Sequence, residues 1–212
     1  NLSSAWDVST SSYVQSFDVS NEDTALTDVF FKPDGTKMYV TGDSTASVYE
    51  YNLGSAWDVT TASYSGNSYD LSTAPESESA PEGIFFSFDG TRMYVVGSVN
   101  DSVYQYDLGT SWDLSSASYV RTLDVSAQET VPSAVHFKFD GTKMYILGSG
   151  GDDVNEYELS EAWNISTATY SQNFSVSAQE TIPRGLFIRS NGTKMYVSGN
   201  NSNSVYEYDM TA

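Results

Sequence analysis

A six-residue phrase recurs four times along the chain: Asp34-Gly35-Thr36-Lys37-Met38-Tyr39, Asp89-Gly90-Thr91-Arg92-Met93-Tyr94, Asp140-Gly141-Thr142-Lys143-Met144-Tyr145 and Asn191-Gly192-Thr193-Lys194-Met195-Tyr196. No other feature constrains the fold as strongly. Self-similarity at a period of about 50 residues marks a propeller, a solenoid or an array, because one repeat buries its apolar faces only against neighbouring copies.

Aligned on the Gly-Thr step, each copy resolves into strands. A short apolar run comes first (Asp28 to Phe31, Gly83 to Phe86, Ala134 to Phe137, Gly185 to Ile188), as suits a strand buried on both faces. The Asp-Gly or Asn-Gly that follows is a hairpin signal. A second strand then runs over Lys37 to Thr41 and its counterparts, and a polar loop leads to an alternating third strand such as Val48-Tyr49-Glu50-Tyr51. Next comes a Trp turn, with Trp6, Trp57, Trp112 and Trp163 spaced by 51, 55 and 51 residues. A Tyr seven residues after each Trp opens a fourth strand: Tyr13 to Val19, Tyr64 to Leu71, Tyr119 to Val125 and Tyr170 to Val176. The extra length of the second copy falls around Asn67 to Ala80 and reads as a loop insertion.

No segment has a helical period. Four meandering strands per unit describe a propeller blade, so the chain is expected to be an all-β, four-bladed β-propeller. A solenoid is the runner-up. The expected single domain covers 1–212, with blades at approximately 21–71, 72–125, 126–176 and 177–212 plus 1–20. Tyr13 to Val19 is a fourth-type strand with no blade before it, and Val205 to Tyr208 is a third-type strand with none after it. The N-terminal strand is therefore expected to complete the last blade and close the ring. The alternative is that the ends are cuts in a longer array, or that two chains form an eight-bladed dimeric ring.

The net charge of −19 excludes the basic patches that nucleic acid and anionic membranes require. Acidic residues spread over exposed loops, a saline source and calcium binding all accommodate it. There are no cysteines, hence no disulfide or thiolate site. No apolar run approaches the roughly 18 residues of a membrane span, and the segment starting at Asn1 reads without a signal peptide.

Segments such as Phe31-Lys32-Pro33-Asp34-Gly35-Thr36-Lys37-Met38-Tyr39-Val40 and Pro81-Glu82-Gly83-Ile84-Phe85-Phe86 resemble the YVTN/NHL-type β-propeller repeats. The resemblance covers nearly the whole chain and implies a propeller. It departs at Phe88, Phe139 and Ser190, which replace Pro33, and at Leu26, which stands where the other copies have Pro. That family includes surface proteins, scaffolds and some enzymes, so the likeness leaves function open.

Candidate ligand-binding residues follow from the copies' disagreements. Thr27, Glu82, Ser133 and Arg184 are aligned at the entry to the inner strand, followed by Asp28, Gly83, Ala134 and Gly185. A pairing of Arg184 with Glu82 across the axis reads as charge compensation. The single histidine, His136, replaces a Phe and reads more readily as packed or channel-lining than as a base. The loops between second and third strands carry Asp43, Asp101 and Asp152, a polar rim for calcium or sugar if it is more than solvated turns. The Trp turns read as structural anchors. No serine elbow, HExxH or phosphate-binding loop is present.

These observations point to a non-catalytic binding or structural module of an extracellular or viral surface protein. No cofactor beyond a weak case for calcium is expected, and the partner would be a protein or glycan met by a monomer or homodimer. A lectin is one alternative. A propeller hydrolase or lactonase with a metal in the axial channel is the other.

Overall fold

A computed structural model of the protein describes residues 11–73 and 75–210. Trp6 and the rest of 1–10 lie outside the described residues. Four antiparallel sheets stand as blades around a common axis, in the expected all-β propeller. The first holds β1 (Leu26–Phe31), β2 (Lys37–Gly42), β3 (Ser47–Leu53) and β4 (Ala62–Asp70). The second holds β5 (Pro81–Phe86), β6 (Arg92–Gly97), β7 (Ser102–Leu108) and β8 (Ala117–Asp124). The third holds β9 (Pro132–Phe137), β10 (Lys143–Gly148), β11 (Asp153–Leu159) and β12 (Ala168–Ser175). The last holds β13 (Pro183–Ile188), β14 (Lys194–Gly199) and β15 (Val205–Asp209).

The recurring phrase builds the first hairpin of each blade. Asp34, Asp89 and Asp140 each accept the backbone N–H and the hydroxyl of the Thr two residues on, which fixes the turn. The glycine between them has φ near +70°, a conformation a side chain would strain. It is needed a second time by the Trp turn: a Cβ on Gly35, Gly90 or Gly141 would overlap the ring of Trp57, Trp112 or Trp163. Each Trp also donates its backbone N–H to that glycine's carbonyl. A short 3-10 turn follows, capped by Asp58, Asp113 or Asn164, so the fourth strand starts at Ala62, Ala117 or Ala168, two residues earlier than the Tyr suggests.

Inner strands pack in sequence, β1 on β5, β5 on β9 and β9 on β13. Hydrogen bonds cross these seams: Tyr39 to the Trp112 carbonyl (2.6 Å) and Tyr94 to the Trp163 carbonyl (2.5 Å). Thr27 reaches the Pro81 carbonyl (2.8 Å) and Ser133 that of Pro183 (2.9 Å). The main apolar clusters lie between blades, with Phe86, Met93, Tyr104, Tyr106 and Leu114 buried in one and Phe137, Met144, Ile146 and Ile165 in the next.

Two details differ from the sequence expectation. The last blade has three strands among the described residues, and Tyr13 to Val19 forms no regular strand. That segment lies along the first blade instead: Phe17 meets the edge of Tyr51 at 5.9 Å, and Gln15 Nε2 donates to Asp58 at 2.7 Å. Alternating residues favour an extended chain, yet a strand exists only where a partner accepts its backbone hydrogen bonds. The insertion divides between a bulge at Gly66 (φ 91°) in β4 and the loop between Leu71 and Glu78.

A carboxylate three residues before each inner strand organises the loops. Asp23, Glu78, Glu129 and Glu180 are buried. Glu129 accepts the N–H groups of Val131 (2.7 Å), Gly150 (2.8 Å) and Gly151 (3.2 Å). Asp23 does the same for Ala25 and Thr45, Glu78 for Ala80, Val99 and Asn100, and Glu180 for Ile182, Asn201 and Ser202. Each tethers the loop between second and third strands to the entry of the blade.

Candidate active site

The inner strands bound a cavity of about 630 Å³ along the axis. Its walls are aromatic and aliphatic because alternate residues of these strands face inward. Phe30, Phe85, His136 and Phe187 occupy equivalent positions on β1, β5, β9 and β13, and all four line it. They form a belt: Phe30 lies 5.4 Å from Phe85, Phe85 5.0 Å from His136, and His136 5.7 Å from Phe187.

Two titratable side chains on this wall have strongly shifted acidities. Asp28 lies two residues before Phe30 and accepts the N–H of Val29 (2.7 Å) and of Ile84 on the neighbouring blade (2.9 Å). Burial outweighs those hydrogen bonds and pushes its carboxyl up to about 6. Burial also pulls the His136 imidazole down to about 4, against a hydrogen bond to the Ile188 backbone. Near neutral pH His136 is thus an uncharged donor–acceptor, and Asp28 is a carboxylate poised to exchange a proton.

The remaining candidates fall into other places. Glu82 and Arg184 approach to 3.6 Å, as the sequence suggested, with Ser98 donating to Glu82 at 3.0 Å. Burial raises the Glu82 carboxyl, while Ser98 and Arg184 lower it. The pair does not line the cavity; it stands one step beyond, toward the loops entering the inner strands. Thr27 and Ser133 are committed to the seams. Asp43 is exposed, with its N–H on the Ala25 carbonyl. Asp101 and Asp152 sit in left-handed turns (φ 46° and 51°), where their carbonyls receive Val125 and Val176 and hold the end of the fourth strand.

The far end of the cavity lies toward the hairpins, lined by Phe31, Trp57, Phe139 and Asn191. None of the candidate ligand residues read from the sequence lies at that face. A signal was present in Phe88 and Phe139, which replace the turn proline and pack at 4.3 Å with their rings tilted by 57° and both exposed. Among the described residues no three His, Asp or Glu side chains converge as metal ligands, and no helix is long and apolar enough to cross a membrane.

Comparison with known proteins corrects the functional expectation. No curated protein matches the chain. Several solved structures share the fold. A Bacteroides fragilis protein proposed to be a 6-phosphogluconolactonase is 17% identical, with 87% of this chain covering 50% of that one at a TM-score of 0.60. The Pseudomonas aeruginosa periplasmic gluconolactonase is 17% identical, with 87% covering 49% at 0.56. A Lactobacillus plantarum protein is 16% identical, with 87% covering 50% at 0.61. The chain spans about half the length of these structures. The lactonase family pattern, described as a 7-bladed beta-propeller, matches residues 28–212.

That match overturns the YVTN/NHL assignment, the non-catalytic structural or binding module, and the expectation that the chain is no enzyme. The reason is physical. The residues carrying the earlier resemblance are the left-handed hairpin glycine and the Tyr-Val strand, which every blade of this construction needs whatever it binds. The chain belongs to the lactonase family of seven-bladed β-propellers.

Proposed function

We propose that the axial cavity hydrolyses a lactone, opening the cyclic ester to a hydroxy acid. Family membership over residues 28–212, joined to a carboxyl held near 6 in the axial cavity, carries this reading. The relatives named for gluconolactone and 6-phosphogluconolactone indicate the bond class. Asp28 takes a proton from water as the water oxygen adds to the lactone carbonyl. Collapse of the tetrahedral adduct expels the ring oxygen, which receives the proton from Asp28. His136 has one ring nitrogen engaged with the Ile188 backbone, and its other nitrogen orients the water or the ring oxygen.

The periplasmic setting of the P. aeruginosa protein supports a location outside the cytoplasm for this chain as well.

The test is a pH–rate profile with the Asp28→Asn variant. With Asp28 as the base, wild-type kcat should rise through pH about 6 and level above it. Asp28→Asn loses about 10²–10⁴-fold in kcat. A variant that retains wild-type turnover removes Asp28 from the reaction.

A further inference from the structure

We infer that the lactone this cavity accepts carries a long apolar substituent and is not a polyhydroxylated sugar lactone. The inference rests on the lactonase reading of the same cavity and goes further than the substrates for which its relatives are named.

The wall chemistry supports it. Between Asp28 and the hairpin end, the lining is Phe30, Phe85, Val135, Leu186, Phe187 and their neighbours. Tyr145 and Ser190 are polar on this wall, but most of its other polar groups are already engaged: Asp28 holds two backbone N–H groups, His136 the Ile188 backbone, Lys138 pairs with Asp140, Lys143 with Glu156 and Glu158, and Asn191 accepts from Thr193. A gluconolactone would bring four hydroxyls into this stretch. Each one left without a partner weakens binding by on the order of tenfold. An alkyl chain gains affinity there, by about fourfold for each methylene taken out of water.

The hairpin end extends the apolar path. Trp57 lies on the cavity wall, stacked on Phe31 at 5.7 Å, and is 58% exposed, whereas Trp112 in the next copy is 8% exposed. The difference arises because Trp112 is covered by Phe30 and Tyr39 of the preceding blade. The direction is head inward and tail outward. The ester lies beside Asp28 and His136, and the chain runs past the belt of Phe30, Phe85 and Phe187 to Trp57 and Phe139. A cavity of 630 Å³ is within the usual range for a ligand of this size.

The experiment compares δ-dodecanolactone with glucono-δ-lactone at pH 7 on the 212-residue chain, with binding of 5-hydroxydodecanoate and gluconate followed by tryptophan fluorescence. The expected kcat/KM favours δ-dodecanolactone by about 100-fold or more. Trp57→Ala should raise its KM about tenfold at constant kcat. Equal turnover, or a preference for glucono-δ-lactone, overturns the inference and leaves the lactonase reading intact. If neither lactone is opened, the lactonase reading fails. The fluorescence then decides alone: quenching by 5-hydroxydodecanoate that is lost in Trp57→Phe supports apolar selectivity, and no response to it overturns that selectivity.

Discussion

Trp112 and Trp57 stand in the same turn of adjacent blades and have opposite surroundings. Both donate a backbone N–H to a hairpin glycine and both cover it with the indole. Trp112 also receives the Tyr39 hydroxyl on its carbonyl and packs against Phe30 and Phe86, while Trp57 stacks on Phe31 and otherwise faces the cavity. One local motif is therefore packed to very different extents in two adjacent blades. A repeat sets local geometry; position in the array sets energetic weight.

The most direct way to break this contrast is to remove each indole. Trp112→Ala should cost about 4 kcal/mol, as expected for a large buried aromatic, while Trp57→Ala costs about 1 kcal/mol or less. Urea denaturation measures both, and equal losses would show that exposure does not set their weights. Next in size is the loop tether. Glu129→Ala leaves the N–H groups of Val131, Gly150 and Gly151 without their charged acceptor and should cost about 3 kcal/mol. Hydrogen exchange at Gly150 and Gly151 should accelerate with it. A smaller effect, about 1 kcal/mol, is expected for Tyr94→Phe, which deletes the hydrogen bond to the Trp163 carbonyl and keeps the packing. A thermal shift of zero would mean that the ring alone holds that seam.

The subtlest effect is on pH dependence. Asp28 has a folded pKa of about 6, above the ordinary carboxylate value of 3.8, so its protonated form is the one the fold favours. Its penalty on stability is absent below about 4 and grows as pH rises through 6. Glu180, lowered to about 2 by Ser202 and backbone N–H groups, acts oppositely: its contribution is present above the ordinary value of 4.5 and is lost as pH falls toward 2. Asp28→Asn should abolish the part of the stability change between pH 4 and 6 and leave the acid limb in place. Denaturation midpoints across pH 2–8 check both limbs.

The blades were legible because their requirements are local. A left-handed glycine, an Asp that accepts two residues ahead and an alternating Val-Tyr strand are each written in contiguous residues. The Glu82–Arg184 pair was legible because aligned copies disagree there in a complementary way. The cavity was not legible, since it depends on how closely four inner strands approach, and no residue reports that alone. Asp28 stood out against Gly83, Ala134 and Gly185, but its raised acidity comes from burial that only the assembled blades create. The loop carboxylates were missed for another reason. Glu78, Glu129 and Glu180 keep a constant distance before a Pro, yet an acidic residue in a Ser/Thr-rich loop looks the same whether it meets water or a ring of N–H groups.

Those carboxylates alter how the acidity of the whole chain is understood. Loops that close around an anion commonly borrow one from the medium; here Asp23, Glu78, Glu129 and Glu180 supply it covalently, each from the segment that enters the same blade. Raising ionic strength screens the solvent-facing pairs at the hairpin tips, Lys32–Asp34 and Lys138–Asp140. It has no comparable access to the four interior anions. The loops above the inner strands are thereby made indifferent to the salinity of their surroundings, and the acidic composition works as internal wiring as much as surface charge.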